Sequence, residues 1–200
     1  MARDYCGECQ RPLPACICDY ISSIDNDIHV IVLQHPLEVK QAKGTVTMLA
    51  KSLNKCSVFI GEDFTDNTEL LKLLSDYQKS TFLLYPSEQA KVIDKRVVEN
   101  GEVKCLVLLD GTWKKAYRMF MLSTFLHDLP HLVLPLGIEG EYQIRKTNKN
   151  NALSSLEACT HALMSLEESG EKYQTLLNNF VKFNQFQLSF SQNKNHLLRR

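Results

Sequence analysis

Short runs of β-branched and apolar residues alternate with stretches of helical period along most of this chain. That alternation is its strongest constraint. The runs His29 to Leu33, Ser57 to Ile60, Thr81 to Tyr85, Val103 to Leu109 and Leu132 to Leu134 are too short for buried helices. Between and after them, Thr45 to Asn54, Thr68 to Tyr77, the stretch that follows Asp110-Gly111 through about His127, Ala152 to Glu168 and Glu171 to Phe186 have helical spacing. Strands separated by helices imply crossover connections and a mainly parallel sheet, so the expected fold is α/β, a sheet flanked by helices. With 200 residues, one core suffices, and no repeat or low-complexity tract divides the chain.

Composition excludes several classes. The chain is 44% hydrophobic and 23% charged, ordinary for a soluble protein. Its longest apolar run, Cys105 to Leu109, is five residues, against the roughly 20 needed to cross a bilayer. The opening Met-Ala-Arg-Asp-Tyr-Cys lacks a signal-peptide core, so the expectation is a cytoplasmic chain with no membrane partner. Net charge is zero but unevenly placed. All 23 acids lie at or before Glu171, and Lys172, Lys182, Lys194, Arg199 and Arg200 follow it. The basic end fits a polyanion contact or, equally, a solvated helix and tail.

Seven cysteines in such a chain are expected as reduced thiols. Cys6, Cys9, Cys16 and Cys18 fall within thirteen residues as Cys-x2-Cys-x6-Cys-x-Cys, a spacing that can wrap one tetrahedral ion. Pro12 and Pro14 stiffen the connection, and Gly7 is the expected site of the tight turn. Four thiolates leave no coordination position for a substrate, so the expected zinc is structural. Residues 1–22 are read as a zinc-binding segment and 23–200 as the α/β domain. Cys56, Cys105 and Cys159 read as core thiols.

In parallel sheets, ligands bind beyond the carboxyl ends of strands, where the connecting loops meet. Three loops carry unusual residues there. Asp110-Gly111-Thr112-Trp113 ends the strongest strand with an acid and the only tryptophan. Asp110 reads as a helix N-cap or a functional carboxylate, and Trp113 as a core anchor or a stacking surface. Gln34-His35-Pro36-Leu37-Glu38 follows the first strand, with Glu38 either pairing Lys40 or Lys43 or positioning a substrate. Tyr142 to Asn151 holds Arg145, Lys146 and Lys149 and no acid, and precedes Ser154-Ser155-Leu156-Glu157-Ala158. Ser154 or Ser155 is expected to cap a helix with Glu157 in its first turn.

Together these pieces resemble the DTW-domain family, which includes the tRNA-uridine aminocarboxypropyltransferases. The resemblance rests on the cysteine spacing, His35-Pro36-x-Glu38, Asp110-Gly111-Thr112-Trp113 with Lys114, Lys115 and Ala116, Tyr142-x-Ile144-Arg145-Lys146, and the late Leu-Ser-Ser-Leu-Glu-Ala. Many members carry Asn-Thr where this chain has Gly44-Thr45, and Ser-Thr-x-Glu-Ala where it has Ser154 to Ala158. The resemblance implies a SPOUT-like fold with a knotted cofactor pocket, although general connection rules run against knots.

It also implies transfer of the 3-amino-3-carboxypropyl arm of S-adenosyl-L-methionine to N3 of a tRNA uridine, releasing methylthioadenosine. In that setting Asp110 is the expected base and Trp113 the wall facing the sulfonium. His35, Glu38, Thr112, Tyr142, Arg145 and Glu157 are the expected substrate-binding residues, and zinc is held by the four cysteines. Two other classes fit the same residues: a SPOUT-like RNA methyltransferase, and a non-catalytic zinc-knuckle RNA-binding protein.

Overall fold

The computed structural model describes residues 4–39, 41, 44–138 and 153–197, with side chains through 189. Six strands form one sheet: β1 (His29–Gln34), β2 (Cys56–Ile60), β3 (Thr81–Leu84), β4 (Lys91–Val92), β5 (Cys105–Asp110) and β6 (His131–Val133). All pairings are parallel, in the order β2-β1-β5-β3-β6-β4. The helices are α1 (Val46–Ser52), α2 (Thr68–Tyr77), α3 (Lys95–Glu99), α4 (Trp113–Leu122), α5 (Ser155–Leu166) and α6 (Gly170–Leu197).

Alternation within each strand divides the core in two. Val30, Val32, Leu106 and Leu108 face one side, under Met48 and Leu49 of α1 and Leu156, Cys159 and Leu163 of α5. Ile31, Leu33, Cys105 and Val107 face the other, under Leu70 of α2 and Met119 of α4. Both faces are covered, so the central strands have no need of polar positions, which explains their unbroken apolar runs.

The expected strands and the first two expected helices are present within a residue or two, whereas α5 begins three residues later than expected and α6 continues past Phe186 to Leu197. The α/β expectation holds, with a sheet that is wholly parallel. β4 and α3 were not expected: a two-residue exposed strand and a five-residue helix carry too little periodicity to register. The helix expected to run to His127 stops at Leu122 and resumes as a 3-10 turn, Thr124–His127. The break is at Ser123, which is fully buried and whose Oγ accepts from the Phe64 N–H at 3.0 Å.

The cysteine segment docks on α6. Tyr20 sits against Phe183 and Phe186, with ring centroids 6.1 and 5.6 Å away, and the Arg11 guanidinium lies 5.6 Å from the Phe183 ring centre. Cys9 and Ile17 belong to the same buried cluster as β1 and α5. The chain path through 139–152, on which the expected knot turns, lies outside the described residues, as do Tyr142, Arg145, Lys40, Lys43 and Arg199 and Arg200 of the basic end. Among the described residues, no helix is long and apolar enough to cross a membrane.

Candidate active site and metal centre

β1 and β5 are neighbours whose onward connections diverge. From β1 the chain passes through α1 to the edge strand β2, whereas from β5 it passes through α4 to β6 on the other side. The two helices cover opposite faces. A crevice opens where such strands part, and ligand sites favour that position.

Asp110 stands at this point. It is the last residue of β5, in register with Gln34, the last residue of β1. The residue is only 8% exposed, and both carboxylate oxygens are held. The Gln34 Nε2 amide donates to Oδ2 at 3.0 Å, and the Ser155 hydroxyl donates to Oδ1 at 2.6 Å. Among the described residues no cation lies within ion-pairing distance of Asp110. The N-cap reading of Asp110 is corrected: the cap of α4 is Thr112, whose hydroxyl accepts from the Lys115 N–H at 3.4 Å.

Gly111 makes the turn between carboxylate and helix. A Cβ there would meet the Lys115 Cβ at 3.1 Å, tighter than ordinary contact, and the His35 Cβ at 3.6 Å, so the close approach favours glycine. Beside it lies a cleft of about 300 Å³ at the carboxyl ends of β3, β5 and β6. Leu84, Leu132, Leu134, Gly111, Trp113 and Ser155 are among the residues that line it. Trp113 is 58% exposed, which excludes the core-anchor reading.

His35 and Glu38 flank the same crevice. The His35 N–H donates to the Asp110 carbonyl at 3.0 Å. Its buried ring accepts from the Leu37 N–H at Nδ1, so the proton lies on Nε2 and is donated to Glu62 Oε1 at 2.9 Å. Glu62 also accepts from Arg118 Nε at 2.9 Å, and that bond above all holds its carboxyl below the ordinary range. Glu38 pairs with Lys115 of α4 at 2.8 Å, so the salt bridge anchoring this loop reaches across to α4.

Glu157 is drawn into the fold of α5. Its carboxylate accepts from the Ser154 N–H at 2.7 Å while Ser154 Oγ accepts from the Glu157 N–H at 3.2 Å, a closed capping box. Ser154 is thus the cap, which leaves Ser155 free to reach Asp110. Reasoning from sequence missed Gln34, Glu62 and the Ser155 hydroxyl as partners in this crevice. A polar residue closing an apolar strand was the one signal for Gln34. Nothing marked Glu62, which arrives from the loop after β2.

Cys6, Cys9, Cys16 and Cys18 bring their sulfurs within 4.8 Å of one another. Cys6 and Cys18 are 3.6 Å apart and Cys9 and Cys16 3.8 Å. Four thiolates about 2.3 Å from a central ion stand roughly 3.8 Å apart, so the residues fit a tetrahedral zinc. The backbone N–H groups of Cys9 and Glu8 draw the Cys6 thiol down to about 6, favouring a thiolate, while its hydrogen bond to Cys16 pushes Cys18 up to about 12. The left-handed turn of the knuckle falls on Gln10 (φ 56°), not Gly7, and the Gln10 amide donates to the Gly7 carbonyl at 2.8 Å. Arg11, inside the knuckle, donates to the Gly44 carbonyl at 3.0 Å and so ties the cysteine cluster to the loop that carries His35 and Glu38. Cys105 and Cys159 are buried core thiols, as expected, and Cys56 is half-buried.

A family profile described as the DTW domain matches residues 3–188. A Mus musculus protein named tRNA-uridine aminocarboxypropyltransferase 2 is 29% identical over 93% of this chain and 64% of its own length. A Drosophila melanogaster protein of the same name is 32% identical over 93% of this chain and 76% of its own. An Arabidopsis thaliana protein named tRNA-uridine aminocarboxypropyltransferase A is 23% identical over 90% of this chain and 79% of its own. This chain therefore spans a little under two thirds of the mouse relative. No solved structure matches it.

Proposed function

This chain belongs to the DTW-domain family, and on that premise we propose that it transfers the 3-amino-3-carboxypropyl group of S-adenosyl-L-methionine to N3 of a uridine in tRNA. The relatives' names support the reaction class. The observation that carries it here is the Asp110 carboxylate, held by Gln34 and Ser155 at the strand crossover, beside a cleft walled by Trp113.

The chemistry asks for such a group. Uridine N3 bears a weakly acidic proton, and a carboxylate fixed in place can take it as N3 attacks. Asp110 accepts that proton, N3 bonds to the γ-carbon, and the carbon–sulfur bond breaks with its electron pair going to sulfur. Methylthioadenosine leaves, and Asp110 later gives the proton to solvent. Ser155 and Gln34 fix the carboxylate's direction. Which of the three carbons on sulfur reacts is decided by which one the site turns toward the nucleophile. Trp113 sets its ring beside the cationic sulfonium, worth about 0.5–2 kcal/mol.

The remaining candidates take lesser parts. His35 and Glu38 shape the loop over the crevice and offer contacts to the substrates. Thr112 and Glu157 hold the starts of α4 and α5, from which Trp113 and Ser155 project. Tyr142 and Arg145 lie outside the described residues, and Arg145 is the proposed partner for a substrate carboxylate or an RNA phosphate. Cys6, Cys9, Cys16 and Cys18 would hold a structural zinc, which would brace the N-terminal segment. The zinc-binding segment is 1–22 and the catalytic domain 23–200, and the protein works in the cytoplasm. Donor labelled in the aminocarboxypropyl arm is the direct test: label must pass to unmodified tRNA, and label that stays in small molecules would refute the assignment.

A further inference from the structure

Helix α4 carries an apolar stripe on its solvent side. Trp113 and Tyr117 are each 58% exposed and Met121 47%. Four residues apart, they lie nearly one above another and extend about 12 Å along the helix. The stripe starts at the cleft, because Trp113 is part of the cleft wall. α4 contains Lys114, Lys115 and Arg118 and no acid. Lys114 and Arg118 are exposed and each follows an aromatic of the stripe by one position. Lys115 turns inward to Glu38, and Arg118 gives Nε to Glu62 while most of its side chain stays in solvent. Lys114 has no ion-pair partner among the described residues.

We propose that this stripe is a stacking platform for single-stranded RNA, on which bases next to the reacting uridine lie against Tyr117 and Met121. The inference rests on the tRNA reading above and extends it to how the substrate is held. N3 is on the pairing edge of uracil, so the reacting uridine is unpaired when it enters the cleft. A splayed strand exposes the apolar faces of its neighbouring bases, and aromatic side chains flanked by cations are the usual partners for such faces. The spacing suits the task, since 12 Å accommodates roughly three stacked nucleotides. A second protein copy fits poorly. A single file of three side chains is far narrower than the roughly 20–30 residues per side of a stable protein interface, and lysine is depleted from interface cores.

The test compares wild type, Tyr117→Ala, Tyr117→Phe and Lys114→Gln in titrations of unmodified tRNA at two salt concentrations. Donor affinity, melting temperature and oligomeric state are measured on the same samples. Tyr117→Ala is expected to lose at least fivefold in tRNA affinity, with donor affinity and salt slope unchanged, because stacking releases no counterions. Tyr117→Phe is expected to stay within twofold of wild type, and Lys114→Gln to lower the salt slope by about one. Wild-type affinity in Tyr117→Ala, or a change of oligomeric state in place of RNA affinity, overturns the platform. Wild type that binds tRNA and transfers label while Tyr117→Ala matches it refutes the platform alone. Wild type that neither binds tRNA nor transfers label refutes the tRNA reading, and the platform with it.

Discussion

Gln34 and Asp110 end adjacent strands in register, and the amide of one holds a carboxylate oxygen of the other at 3.0 Å. Ser155, from α5, holds the second oxygen. A carboxylate fixed at both oxygens, with no ion-pair partner among the described residues, is held in one direction. Replacing it by an amide keeps the shape and removes the proton acceptor. Asp110→Asn is therefore expected to abolish transfer in a single turnover while donor affinity changes less than about tenfold, roughly 1.4 kcal/mol. Full single-turnover activity in Asp110→Asn would remove Asp110 as base.

In the proposed reaction Ser155 acts through Asp110, to whose Oδ1 it donates at 2.6 Å. Hydrogen bonds to charged groups contribute about 1.5–3 kcal/mol. Ser155→Ala is expected to lower kcat at least tenfold with KM little changed, and Ser155→Thr, which restores a hydroxyl, to recover most of the loss. Equal kcat in Ser155→Ala would show that the carboxylate needs no such holding.

Glu157 can be assigned by comparing two variants. Its carboxylate closes the capping box of α5. Glu157→Gln retains an oxygen that can accept from the Ser154 N–H, so stability and donor affinity are expected to stay near wild type. Glu157→Ala is expected to cost about 1 kcal/mol in denaturant unfolding. A large loss of donor affinity in Glu157→Gln, with stability intact, would instead give the charge a role in substrate binding.

The fold was legible where one residue's environment follows from its near neighbours. Five apolar residues in a row at Cys105 to Leu109 imply a strand covered on both faces wherever it lies in the sheet. β4 and α3 were not legible, because Lys91 and Val92 are exposed and their pairing with β6 is set by tertiary contacts. The end of α4 depended on Ser123 bonding to Phe64, 59 residues away in the chain. The site divides in the same way. Asp110, Trp113, His35 and Glu38 stood out as chemically unusual residues in loops. Their partners Gln34 and Glu62 did not, because only the order of strands in the sheet brings them together.

The cysteine centre is expected to hold one zinc per chain, lost when Cys6 and Cys9 are both replaced by serine. Metal loading and folding are coupled in small knuckles. The loss should lower the melting temperature and, through Arg11 and Gly44, loosen the loop after β1. Less than about one-tenth equivalent of metal in gently purified protein would contradict the site.

Transfer of the longer arm of the donor is what separates the proposed reaction from methyl transfer. The decisive measurement incubates purified protein with S-adenosyl-L-methionine and unmodified tRNA, then identifies both the nucleoside and the nucleoside by-product by mass. The account predicts aminocarboxypropyl-uridine and methylthioadenosine in equal amounts. Adenosylhomocysteine with a methylated nucleoside, or no modified nucleoside at all, would contradict it.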